Sequence, residues 1–140
     1  MSVRFSIQDL DFQLPEPEKI KKWISEIVKA DSKRVGNISY LFCDDEYLLK
    51  ANIQFLNHDT LTDIITFDYV EGDVIAGDIM ISLDRVKENA QIFSVPFEQE
   101  LHRVIIHGVL HLLGQGDKTE PEAKEMRTKE NHALSVWDNL

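Results

Sequence analysis

One change of rhythm governs what this chain can become: its alternating, strand-like apolar stretches lie mostly before residue 84, and helical stretches follow. Alternation puts every second side chain on one face of a strand, whereas a 3.6-residue period puts a stripe along a helix. Val3, Phe5 and Ile7 alternate, so a short strand is expected there. Pro15-Glu16-Pro17 opens a helix whose stripe is Ile20, Trp23, Ile24, Ile27 and Val28, with Lys19, Lys21, Lys22 and Lys29 mostly off it as a solvated face. Gly36 is expected to break the chain before a strand over Asn37 to Cys43, and Asp44 to cap a helix holding Tyr47, Leu48, Leu49 and Phe55. A polar loop over 57–63 leads into a strand at Ile64 to Phe67, and a turn at Gly72-Asp73 joins it, hairpin-like, to a strand over Gly77 to Leu83. Asp84 is expected to cap a helix to about Phe93. The next begins around Pro96, carries Leu101, Val104, Ile105, Val109 and Leu112, and stops at Gly114. Thr119 with Glu122 forms a capping box for a last helix reaching about Trp137. The expectation is an α+β class, a small mixed sheet packed by about five helices in one domain over residues 1–140.

Charge narrows the partners. The 25 acidic and 15 basic residues leave a formal net charge of −10, which argues against broad adhesion to nucleic acid. A nucleic-acid substrate held in a local groove is compatible with that balance, so any such reading rests on a site rather than on the overall field. The single cysteine, Cys43, sits in the apolar run from Ile38 and reads as a small buried hydrophobe rather than a nucleophile. The start MSVRFSIQDL lacks a basic stretch followed by an apolar one, and no apolar run approaches the ~20 residues of a membrane span. The expected setting is cytoplasmic and soluble.

The chemistry is concentrated in His107-Gly108-Val109-Leu110-His111-Leu112-Leu113-Gly114-Gln115-Gly116-Asp117. Residues four apart on a helix lie one turn above each other, so both imidazoles project the same way and can share one ion. Gly114 permits a sharp turn that brings the chain back, and Asp117 is placed to be the third ligand. Three protein ligands leave a position open for water or substrate, as at catalytic zinc. The plainer alternatives are two histidines satisfied without an ion, and an Asp117 that serves the turn before the Thr119 cap. The apolar surroundings of the pair, and the lack of any obvious nearby hydrogen-bond partner for both rings, favour the metal.

A helical zinc protease carries His-Glu-x-x-His, its Glu acting as general base, but Gly108 occupies that position here. Arg103 and Glu100 continue the His107 face. They are candidates for steadying a phosphate and for orienting a histidine, or else form a plain ion pair. His58 and Asp63 sit in the polar loop, where a scaffold can position functional groups, although turn-forming residues read the same way. His102 and His132 are expected at the surface.

These residues resemble the YbeY family of ribosome-associated, metal-dependent endoribonucleases. His107-Gly-x-Leu-His111-Leu-x-Gly is similar to the family signature. Leu61-Thr62-Asp63-Ile64-Ile65-Thr66-Phe67 resembles its Pro-Thr-Asp-Val-Leu-Ser-Phe segment, and Gly77-Asp78-Ile79-Met80-Ile81-Ser82 its Gly-Asp-Ile-x-Ile-Ser strand. Order and spacing agree over roughly residues 36 to 132. The resemblance implies a zincin-like α+β metallohydrolase fold, one zinc ion, and an endoribonuclease acting in maturation of the small-subunit rRNA 3′ end and in ribosome quality control. It further implies an RNA substrate and a ribosome or ribosomal-protein partner. Two departures stand out. The family's third ligand is a His where this chain has Asp117, and the family tends to carry an Arg where Leu56 stands. If that Arg handles phosphate, His58, Arg103 or Lys118 must replace it. The competing readings are a metalloprotease-like hydrolase, disfavoured by Gly108, and a non-catalytic ribosome-associated module with a structural metal.

Overall fold

The apolar rhythm resolves into four strands and five helices in a computed structural model that describes residues 2–140. Met1, included in the expected domain, lies outside the described residues. In chain order the elements are β1 (Val3–Ile7), α1 (Pro17–Ala30), β2 (Arg34–Cys43), α2 (Asp45–Leu56), β3 (Ile64–Asp68), β4 (Val74–Ser82), α3 (Leu83–Phe93), α4 (Phe97–Leu112) and α5 (Glu120–Asp138). The sheet order is β1-β2-β4-β3. β1 and β4 flank β2 in parallel, which the long connections through α1 and α2 permit, and β3 pairs antiparallel with β4 as the hairpin turn dictates. The expected α+β fold, a small mixed sheet packed by five helices, is therefore what forms.

Most of the core lies on one sheet face. Ile38, Tyr40, Phe42, Ile79 and Ile81 point there and meet Ile20, Trp23 and Ile24 of α1 and Leu101, Ile105 and Val109 of α4. The helix α4 is buried on several sides, and the Tyr40 hydroxyl donates to its Ile105 carbonyl at 2.9 Å. Trp23 reaches α5 by donating its indole N–H to the Ala133 carbonyl at 2.7 Å. A smaller cluster of Cys43, Leu48, Ala51 and Ile65 packs α2 on the opposite face, so Cys43 is the buried hydrophobe expected.

Three elements differ from expectation. The last strand, expected over Gly77 to Leu83, runs from Val74 to Ser82, and Leu83 opens α3. Gly36 does not precede β2 but lies within it, where register slips between Val35 and Ile38. A Cβ at Gly36 would come 2.6 Å from Val74 Cγ1, so the close pass of β4 needs a residue without a side chain. The cap of α3 is Ser82 rather than Asp84: the Ser82 hydroxyl accepts from the Arg85 amide at 3.3 Å. Asp84 instead accepts from the Asp45 amide at the start of α2.

Candidate metal centre

The site is assembled by the last two turns of α4, the loop behind it and the face of α5. Gly108 lets α4 approach the sheet closely, because a Cβ there would stand 2.9 Å from Ile79 Cδ1 and 3.2 Å from Ile64 Cδ1. The helix ends at Leu112, and Gly114 adopts φ +97°, a left-handed conformation that turns the chain back toward the helix. The Thr119–Glu122 capping box then starts α5, with the Thr119 amide donating to Glu122 Oε1 at 3.2 Å and the Glu122 amide to Thr119 Oγ1 at 3.3 Å.

That turn brings Asp117 to both histidines. Asp117 Oδ2 lies 3.3 Å from His107 Nε2 and 3.3 Å from His111 Nε2. The two rings sit with centroids 4.6 Å apart and planes at 81°. One donor atom from each of the three residues falls within 4.8 Å of the others. Ligand atoms held about 2.0–2.1 Å from a tetrahedral ion stand about 3.3 Å apart, the spacing Asp117 keeps from each histidine nitrogen.

Behind the pair lies a residue the local sequence pattern passed over. His107 Nδ1 donates to Glu130 Oε2 at 2.6 Å, so the neutral ring keeps its proton on Nδ1 and turns Nε2 toward Asp117 and His111. Glu130 is buried on α5 and is itself held by Arg103, whose guanidinium donates to Glu130 Oε1 at 2.9 Å and to Asn131 Oδ1 at 2.9 Å. Arg127 adds a third contact at 3.3 Å. Burial works against a charged His107, but the hydrogen bond and charge of Glu130 outweigh it and raise its pKa above the ordinary histidine value. Burial likewise opposes the Glu130 carboxylate, yet its bonds from His107 and Arg103 hold its pKa below the usual glutamate range.

Of the secondary candidates, Glu100 and Arg103 do not have the roles considered for them. Glu100 is buried beside Arg103, at 3.9 Å, so the carboxylate that orients His107 is Glu130. Arg103 is tied to Glu130 and Asn131 and does not line the groove in front of the histidines. His58, Asp63 and Lys118 do line it, together with Leu56, Asp68 and the three candidate ligands, in an open cavity of about 660 Å³. Burial lifts the Asp63 carboxyl above the ordinary aspartate range, against an opposing pull from His107. Asn52 secures the loop carrying His58 and Asp63, its side-chain amide donating to the Thr60 carbonyl at 2.8 Å. His132 is exposed as expected, but His102 is only 3% exposed, packed between Trp23 and Trp137.

Glu130 carried a signal in the sequence. Met126, Glu130, Ala133 and Trp137 form the buried stripe of α5, and an acid on an apolar stripe needs a cationic partner.

A family model described as Endoribonuclease YbeY matches residues 5–138. A Flavobacterium psychrophilum protein named Endoribonuclease YbeY is 51% identical over 129 residues, 92% of each chain. One of the same name from Porphyromonas gingivalis is 56% identical over 115 residues, 82% of this chain and 76% of its own. The solution structure of a Thermotoga maritima protein matches with a TM-score of 0.68 at 30% identity, over 98% of this chain and 90% of that one.

Proposed function

The chain belongs to the Endoribonuclease YbeY family, and from that premise we propose that it is a metal-dependent hydrolase cutting single-stranded RNA, working as one domain over residues 1–140. The observation that carries the reading is the meeting of His107 Nε2, His111 Nε2 and Asp117 Oδ2 in an open groove. These three residues would hold one zinc ion, which supplies a Lewis acid for activating water and polarising a phosphoryl oxygen. Glu130 keeps the His107 proton on Nδ1, so Nε2 stays available as a donor. Asp63, whose pKa burial raises, faces the same groove without belonging to the three-residue cluster, and it can hold a proton near the scissile bond. The position of the expected Glu base of a protease is filled by Gly108, buried against the sheet, which favours the nuclease over a protease.

We place its work in maturation of the 3′ end of small-subunit rRNA and in ribosome quality control, on the ribosome or with a ribosomal protein, in the cytoplasm. No helix of the described residues is long and apolar enough to cross a membrane.

Metal content and RNA cleavage, measured together, test the centre. Wild type is expected to hold one ion per chain and to cut single-stranded RNA, and His107→Ala, His111→Ala and Asp117→Ala to lose both. Full metal occupancy in Asp117→Ala would overturn the three-ligand centre. Metal-loaded protein that digests casein and spares RNA would overturn the nuclease.

A further inference from the structure

Resting on the endoribonuclease reading, we propose that Lys118 grips an RNA phosphate beside the metal centre. A phosphodiester entering this groove meets the carboxylates of Asp63, Asp68 and Asp117, on a chain of net charge −10. Binding there needs a fixed positive charge. Among the described residues that line the groove, Lys118 is the sole lysine or arginine.

The arginines nearest the histidines are otherwise engaged. Arg103 and Arg127 both donate to Glu130 Oε1, on the far side of the His107 ring from the groove, and withdrawing either would leave a buried carboxylate less compensated. Lys118, in contrast, is exposed and forms no ion pair among the described residues. It also directly follows Asp117. Consecutive Cα atoms are about 3.8 Å apart, so its flexible four-carbon arm sweeps the space next to the candidate ligands. The phosphate it meets is therefore the scissile one or an immediate neighbour. An ammonium on a flexible arm gives a point charge without a fixed fork, which suits a backbone contact that reads no base.

The test compares wild type, Lys118→Gln, Lys118→Arg and, as a control away from the groove, Lys22→Gln on α1. A fluorescein-labelled single-stranded oligoribonucleotide is titrated against metal-free protein over a range of salt, and the same RNA is cut by metal-loaded protein. Because Lys118 is exposed, the melting temperature is expected to be unchanged, so any loss reports on RNA. K118Q is expected to bind about two- to fivefold more weakly, the worth of one exposed charge pair. Its slope of log affinity against log salt should be shallower by about 0.7, one phosphate contact on a single strand. Cleavage should lose in KM rather than in kcat, K118R should restore binding, and K22Q should match wild type. If wild type cuts the RNA while K118Q keeps wild-type affinity and salt slope, Lys118 has no such role and the endoribonuclease reading stands. Wild type that neither binds nor cuts RNA removes that reading and this proposal together.

Discussion

At the scale of single residues, the centre divides into a part written locally and a part written at a distance. His107, His111 and Asp117 could be read from sequence because a helical repeat and one glycine turn determine where they point. Glu130 could not be found from that segment, since it lies 23 residues from the ring it holds and depends on how α5 docks on α4. The same distance hid the commitments of Arg103, which the helical face alone suggested was free to meet a phosphate. Glu130 gives a direct prediction. Glu130→Gln keeps the size of the side chain but removes the carboxylate, so His107 loses its strong Nδ1 partner and Arg103 its counter-charge. Zinc affinity, measured by competition with a chelator, is expected to fall about 10–100-fold. Affinity within a factor of two of wild type would show that Glu130 orients nothing the ion uses.

At the scale of elements, most of the layout was legible because some ends carry their own signals: the Thr119–Glu122 capping box is present as read, and the 69–73 turn joins β3 to β4 in the hairpin expected. What the sequence hid was how closely elements approach. Gly108 read simply as a missing base, yet its lack of a Cβ lets α4 settle onto Ile79 and Ile64. Gly77 serves the same contact from the other side, where a Cβ would come 2.9 Å from Leu112 Cδ2 and 2.5 Å from the Phe67 carbonyl oxygen. Gly108→Ala is therefore expected to destabilise by overpacking, about 1–3 kcal/mol, despite the higher helix propensity of alanine. A thermal melt should show a fall of several degrees, and metal affinity should fall too, since the displaced helix carries both histidines. A melting temperature at or above wild type would mean that the isoleucines yield freely.

At the scale of the whole molecule, the sheet order β1-β2-β4-β3 was not legible, because it depends on strands far apart in the chain choosing partners. Nor was the junction where α1, α4 and α5 meet. There His102 lies with its ring centroid 4.1 Å from that of Trp137 and 5.7 Å from that of Trp23, and its Nε2 is buried without a hydrogen-bond partner. Five positions from His107 puts the ring well round the helix, where the surface is expected, but α4 is covered on more than one side. Burial, reinforced by the nearby positive charge of Lys19 and only partly opposed by Asp138, pushes its pKa down from 6.5 to about 4. Between those values the unfolded chain takes up a proton that the folded chain refuses, so acid favours unfolding. The cost is absent above about pH 6.5, grows as pH falls, and is complete below about pH 4, where it amounts to about 3 kcal/mol. His107 contributes with the opposite sign, since its raised pKa adds stability on the acid side that is lost as pH rises through the folded value. Urea melts of metal-free protein across pH 7 to 4 can separate the two. His102→Leu is expected to flatten the acid-side loss of stability relative to wild type, while His107→Leu, which removes the opposing contribution, should steepen it. An unchanged slope in His102→Leu would mean that the three-helix junction opens to admit the proton, and that the acid sensitivity of the fold arises elsewhere.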